Sequence, residues 1–208
     1  MNQKNLLGLN SCFLDLNDPI ELFKIWMEAA KISEPNDPNA LALATADINS
    51  IPSVRIVLLK DFNKEGFIFY TNLESQKSNE IKENPKASMC FHWKSLLRQI
   101  RISGKLSKVT DKAADEYYNS RTYNSRIGAW ASKQSTVLKN RNDLILSIKE
   151  YKKKYNEKGN VPRPKHWSGW NLSPLSIEFW LDGSNRIHER LKYIKDENGR
   201  WNKSLLSP

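Results

Sequence analysis

The sequence predicts a mainly β fold with helices at its periphery (α+β), a sandwich or small barrel. Two observations carry this. Between residues 40 and 109, short strand-like runs follow one another with turns, and one short polar helix, between them. A parallel α/β winding would need a helix after nearly every strand, and those are missing.

Taken in order, residues 1–17 lack periodicity and are expected to form a loose arm ahead of a single domain over 18–208. Leu6-Leu7-Gly8-Leu9 is too short for a signal-peptide core. A helix is predicted from Asp18-Pro19-Ile20-Glu21, where Asp18 can accept from free amides and Pro19 suits the first turn. Phe23, Trp26, Met27 and Ala30 then share one face and read as core. Strands are expected over 40–46, 53–60 and 67–71, a short helix from about Ser75 to Asn84, and strands over 87–93 and 97–109, the last bulged at Gly104. Helices are expected from Thr110 or Asp111 to Arg121, from Asn124 to Ser132, and as one long amphipathic element from Thr136 to Lys158 that stops at Gly159. A linker over 161–167 leads back to strand at 177–181. The turn Asp182–Asn185 then opens a strand over 186–190, and Glu197-Asn198-Gly199 opens the last one over 200–205.

Composition narrows the function classes. The 208 residues carry 39% hydrophobic side chains and seven tryptophans, enough for a core, and a net charge of +10, which favours anionic partners of some kind. Cys12 and Cys90 stand far apart with no ligand-spaced histidine, so neither a disulfide framework nor a metal site is expected. No apolar run is long enough to cross a bilayer, and the chain reads as soluble and cytoplasmic, with no membrane partner.

Five clusters collect anion-binding groups. As a strand, Arg186-Ile187-His188-Glu189-Arg190 puts Arg186, His188 and Arg190 on one face, suiting an anionic ligand that needs proton transfer, or else forming a solvated basic edge. Arg55 to Lys60 is an apolar strand with a cation at each end, which either line ligands or merely flank a buried strand. Tyr117 and Arg121 share a helix face that Ser125 joins if the helix carries on, which suits a phosphate; a surface Tyr–Arg contact is the alternative. Tyr70-Thr71 with Gln76-Lys77 lies where a strand enters a helix, a place that binds anions. Gln134-Ser135 precedes the long helix and reads as its cap, and Gln99 faces either a ring edge or water.

RIVLLK at 55–60, FYTNLESQKS at 69–78, EYYNSR at 116–121, IGAWASKQS at 127–135, IEFW at 177–180 and RIHER at 186–190 together resemble the pyridoxamine 5'-phosphate oxidase family, in unbroken order from about Asp18 onward. The resemblance implies an antiparallel Greek-key split β-barrel that forms a homodimer, with flavin mononucleotide (FMN) at the subunit interface. It implies that Arg55 and Lys77, beside Gln76, meet the flavin phosphate with Gln134 and Ser135 assisting, and that Arg55, Ile56, Val57, Leu58, Leu59 and Lys60 line the flavin. Tyr70, Thr71, Gln99, Trp180 and Arg190 are implied as further flavin contacts. Lys60, Tyr117, Arg121 and Ser125 match the grip on the substrate's phosphate, and Arg186 and His188, flanking Ile187, match the pair that covers its ring.

Three departures stand out. Gln76 replaces an arginine often found beside the lysine, Leu205 replaces the arginine of the C-terminal ending, and the N-terminal arm lacks its usual arginines. The implied reaction is oxidation of pyridoxamine or pyridoxine 5'-phosphate to pyridoxal 5'-phosphate, with O2 as final oxidant. Two rivals are a non-enzymatic nucleic-acid-binding barrel, favoured by charge and tryptophan content, and a split-barrel flavoprotein with another reductant. No aromatic and basic interleaving marks a nucleic-acid path, so no nucleic-acid partner is expected.

Overall fold

The computed structural model describes residues 7–156 and 159–208. Helix α1 (Pro19–Ser33) starts where Asp18 accepts from the Ile20 amide at 2.9 Å, and it buries Leu22, Phe23, Trp26, Met27 and Ala30. Phe23 meets Phe62, Phe67 and Phe91 edge-on, with ring centres 4.8, 4.9 and 5.4 Å apart. That cluster fixes the helix against the sheet.

Strands β1 (Ala40–Ala46) and β2 (Pro52–Leu58) form a hairpin, followed by β3 (Asp61–Asn63) and β4 (Gly66–Asn72). Helix α2 (Gln76–Glu83) leads to β5 (Lys86–Trp93) and β6 (Arg98–Lys108). Helices α3 (Asp111–Ser120), α4 (Tyr123–Ala131) and α5 (Arg141–Lys154) come next, then β7 (Trp167–Leu181), β8 (Glu189–Lys195) and β9 (Trp201–Leu205).

All strand pairs are antiparallel, in the order β2-β1-β5-β6-β7-β4-β3, with β8 beside β7 and β9 beside β8. The long β7 splits the sheet. One edge follows β6, while the other pairs with β4 over Trp167–Leu172 and with β8 over Ser176–Leu181. The sheet curls into a half-barrel around apolar side chains, among them Leu41, Leu43, Met89, Phe91, Ile100, Ile102, Ile177 and Phe179. The expected bulge lies between Ser103 and Gly104, where a β-carbon on Gly104 would stand 2.1 Å from the Ser173 carbonyl oxygen. This is the split-barrel fold expected from the family resemblance. No helix among the described residues is long and apolar enough to cross a membrane.

Four expectations change. Residues 1–6, and Glu157 and Lys158 at the predicted helix end, lie outside the described residues. The remainder of the supposedly loose arm is docked: Phe13 is fully buried, the Trp26 indole donates to the Cys12 carbonyl, and Tyr193 donates to that of Leu16. Single apolar anchors hold this segment, so it has no period to read. The long helix begins only at Arg141, because Asn140 takes the cap by accepting from the Asp143 amide, and it ends at Lys154, before Gly159. Gln134 and Ser135 therefore do not cap it.

The largest change is at 186–190. A single 3-10 turn occupies Ser184–Arg186, with Asn185 and Arg186 at φ +57° and +63°, and the strand starts only at Glu189. Arg186, His188 and Arg190 therefore do not share a strand face. Ile187 is exposed, whereas Leu191 and Tyr193 in the strand that follows are buried.

Candidate active site

A cavity of about 840 Å³ opens between β2, β4, the start of α2, the α3–α4 junction and residues 134–135. Its walls include Arg55, Ile56, Val57, Leu58, Lys60, Tyr70, Thr71, Gln76, Lys77, Tyr117, Arg121, Ser125, Gln134 and Ser135. Segments more than a hundred residues apart, from Ser53 to Trp167, thus converge on one space. Of the 55–60 run only Leu59 is withdrawn: it is buried in the core, and its amide donates to the Asn39 carbonyl.

At one end of the cavity the cations are tied down. Arg55 donates to the Thr45 and Ser53 hydroxyls and to the Leu43 carbonyl at 3.3 Å, and pairs with Glu80 at 3.2 Å. Burial pushes the Glu80 carboxyl up, but hydrogen bonds from Thr45, Ser53 and Gln76 and the charge of Arg55 outweigh it and bring it down to about 2. Gln76 donates to Glu80 at 2.9 Å. Lys77 is buried and donates at 3.3 Å only to the hydroxyls of Thr71 and Ser75, while Thr71 donates to Gln134 at 3.3 Å. Burial and then Arg55 lower the Lys77 pKa, against the pull of Glu80. Ser135 adopts φ +69° where it enters the wall.

At the other end, Arg121 caps the C-terminus of α3, and Ser125 lies in the first turn of α4, accepting from the Thr122 hydroxyl at 2.9 Å. Tyr117 stacks on Tyr70 with ring centres 4.0 Å apart, and the Lys60 ammonium lies 6.0 Å from the Tyr117 ring centre. The Arg121 guanidinium has its Nη1 buried without a hydrogen-bond partner, and burial lowers its pKa from the ordinary value. Buried donors without partners suit an anion brought from outside.

The other predicted residues lie elsewhere. Gln99 faces Trp180 across β6 and β7, and Trp180 faces Arg190 across β7 and β8. Arg190 is paired with buried Glu178 at 2.9 Å, which also takes Arg101. The His188 ring lies 4.6 Å from that of Trp180, and its Nδ1 stands 3.0 Å from an Asp182 carboxylate oxygen and 3.3 Å from the Gly183 amide. None of Gln99, Trp180, Arg186, Ile187, His188 or Arg190 lines the cavity. Trp167 in the cavity wall and Trp180 sit at opposite ends of β7, roughly 40 Å apart along the strand at about 3.3 Å per residue.

Sequence reasoning missed Ser53, Val54, Ser120, Thr122 and Trp167 in the wall, and Glu80 behind it. Thr122 had a local signal, since it caps α4. Glu80 and Trp167 had none, because the cations they meet, Arg55 and Arg121, are remote in the chain. Among the described residues no group of three or more His, Cys, Asp or Glu side chains is placed to hold a metal ion.

A curled antiparallel half-barrel whose cleft gathers cations at both ends belongs to the split-barrel class. Residues 28–155 match the family model described as pyridoxamine 5'-phosphate oxidase, and residues 167–208 match the one described as the pyridoxine 5'-phosphate oxidase C-terminal dimerisation region. A pyridoxine/pyridoxamine 5'-phosphate oxidase of Pelagibacter ubique is 73% identical over all of both chains, and one of Allorhizobium ampelinum is 52% identical over 94% of this chain and 95% of its own. The crystal structure of PhzG from Burkholderia lata, in complex with tetrahydrophenazine-1-carboxylic acid, superposes with a TM-score of 0.88 at 32% identity, covering 93% of this chain and 94% of that one. The chain belongs to the pyridoxamine 5'-phosphate oxidase family.

Proposed function

We propose that this chain is an FMN-dependent oxidase that converts pyridoxamine 5'-phosphate and pyridoxine 5'-phosphate to pyridoxal 5'-phosphate, reducing O2 to H2O2 and releasing ammonia from the amine. The observation that carries the reading is the two-ended cavity, with buried Lys77 at one end and half-buried Arg121, its Nη1 buried without a partner, at the other, each lacking an ion-paired carboxylate among the described residues. Two phosphates, one from the cofactor and one from the substrate, suit those two ends. The full-length 73% relative supports the same substrates over the rival reductants of other split-barrel flavoproteins, and family membership leaves nothing to favour a nucleic-acid-binding barrel.

The donor set fits FMN. Lys77 and Arg55 would hold its phosphate with Ser135 and Gln134, while Ile56, Val57 and Leu58 offer an apolar strand for the ring and Tyr70 and Thr71 close the wall. When bound, FMN supplies the acceptor for hydride from the substrate's side-chain carbon and passes the electrons to O2. This chain's residues bind, orient and handle the proton. Lys60, Tyr117, Arg121 and Ser125 grip the substrate phosphate, fixing the distance from there to the reacting carbon. Arg186 serves as a clamp and positive charge through its guanidinium. His188 handles the proton of the reacting group through Nε2, since its Nδ1 faces the Asp182 carboxylate at 3.0 Å.

The reading includes a homodimer. Gln99, Trp180, Arg186, His188 and Arg190 sit at the far end of β7 and reach a cavity only if a second copy presents them, and the match to a dimerisation region over 167–208 supports this. A cytoplasmic setting is part of the reading and agrees with two free cysteines. The direct test supplies purified protein with FMN, pyridoxamine 5'-phosphate and O2, and follows pyridoxal 5'-phosphate. Its formation is expected; material that remains colourless with added FMN, or yields no aldehyde, contradicts the proposal.

A further inference from the structure

We propose that Trp167 is a positioning residue that holds Arg121 open for the substrate phosphate, a proposal that rests on the role given to Arg121 above. The Arg121 guanidinium carbon lies 4.8 Å from the Trp167 ring centre and 5.8 Å from that of Tyr118. No ion pair involving Arg121 occurs among the described residues, and its Nη1 is buried without a partner. A carboxylate would fix the group as firmly, but it would occupy N–H donors and cancel the charge the phosphate needs. A ring face attracts the cation and leaves the N–H edge free. Arg55 shows the other arrangement, with Glu80, Thr45, Ser53 and the Leu43 carbonyl on its Nη1 and Nη2.

The platform itself is fixed. Trp167 is 6% exposed, with Tyr118 edge-on at 5.1 Å and Tyr70 parallel at 5.4 Å. Its carbonyl accepts from Arg163 at 2.8 Å, and Arg163 also reaches Asp111 at 3.1 Å and Asp115 at 2.6 Å. Those two aspartates lie on α3, the helix whose C-terminus Arg121 caps. Ring and guanidinium are thus referred to the same helix, one through the Arg163 strut and the other through the backbone. This strut explains why the aromatic side chain sits at the start of β7, far from every other cavity residue in the sequence.

The test compares Trp167→Leu, Trp167→Met, Trp167→Phe, Arg121→Ala and the double variant Trp167→Leu/Arg121→Ala. Three quantities are measured: KM and kcat for pyridoxamine 5'-phosphate, the inhibition constant of inorganic phosphate, and the FMN dissociation constant by flavin fluorescence. In Trp167→Leu and Trp167→Met, KM and the phosphate constant should rise roughly tenfold, with kcat and FMN affinity held within about twofold. Trp167→Phe should recover most of the loss, and adding Trp167→Leu to Arg121→Ala should change nothing further. An unchanged KM in both non-aromatic variants overturns the proposal. So does a parallel fall in kcat and FMN affinity, which marks a merely structural residue, or a full additional penalty in the double variant. If Arg121→Ala itself leaves KM unchanged, the role of Arg121 fails first, and the two failures are distinguishable.

Discussion

The cavity and the far end of β7 are built in opposite ways. Around the cavity, cations come from rigid elements and sit among buried partners: Lys77 in the first turn of α2, Arg55 inside β2, Arg121 at the end of α3. At the far end, Arg186 and His188 ride a short turn with two consecutive left-handed residues, and Ile187 between them is exposed. Left-handed backbone in non-glycine residues costs energy and persists where the surroundings hold it. In the proposed function, binding falls to the scaffold, and handling of the reacting group to an exposed turn that does not line the same chain's cavity. On the proposed function, the difference means that a single chain holds two half-sites.

The comparison breaks most visibly at His188. Replacing it by alanine should lower turnover by about a hundredfold or more while leaving FMN affinity intact; turnover near wild type would remove the histidine from the chemistry. Arg121→Ala probes the opposite half and should raise KM roughly ten- to a hundredfold, with a smaller effect on kcat, since a charge-assisted hydrogen bond is worth about 1.5–3 kcal/mol. A KM within about twofold of wild type would show that this guanidinium does not hold the phosphate.

The smallest effect concerns the tied-down end. The Glu80 carboxyl is held at about 2, below its ordinary value of 4.5, so it stabilises the fold above about pH 4.5 and loses that contribution as pH falls toward 2. Urea unfolding should show wild type more stable than Glu80→Gln at pH 7, by about 1 kcal/mol once solvent screening of the pair is allowed for. The gap should narrow by pH 3. A gap independent of pH would mean that the residue acts through shape rather than charge.

How much of this was legible follows the same division. The α1 cap at Asp18, the Gly104 bulge and the convergence of Tyr117, Arg121 and Ser125 all rest on local chemistry or helical spacing, and the sequence displays such signals. The 186–190 stretch misled because alternating charge imitates a strand, while Gly183 and the left-handed Asn185 and Arg186 set a turn instead. A β-carbon on Gly183 would stand 1.9 Å from the Ile187 carbonyl oxygen, so this turn closes on its own backbone, a contact with no periodic signature. Trp167 and Glu80 escaped notice because their meaning lies in partners tens of residues away: Arg121 for one, Arg55 for the other.

The account's central claim is that a complete site takes its phosphate grip from one chain and its proton-handling histidine from another. Mixed dimers test it most directly. Arg121→Ala and His188→Ala proteins, each assayed alone below saturating substrate, should be nearly inactive. Co-folded in equal amounts, they should recover about a quarter of wild-type activity, because half of the dimers are mixed and each mixed dimer has one intact site of its two. Activity in the mixture no higher than the mean of the separate proteins, with mixed dimers verified by mass, would contradict the account and return both residues to a single chain's site.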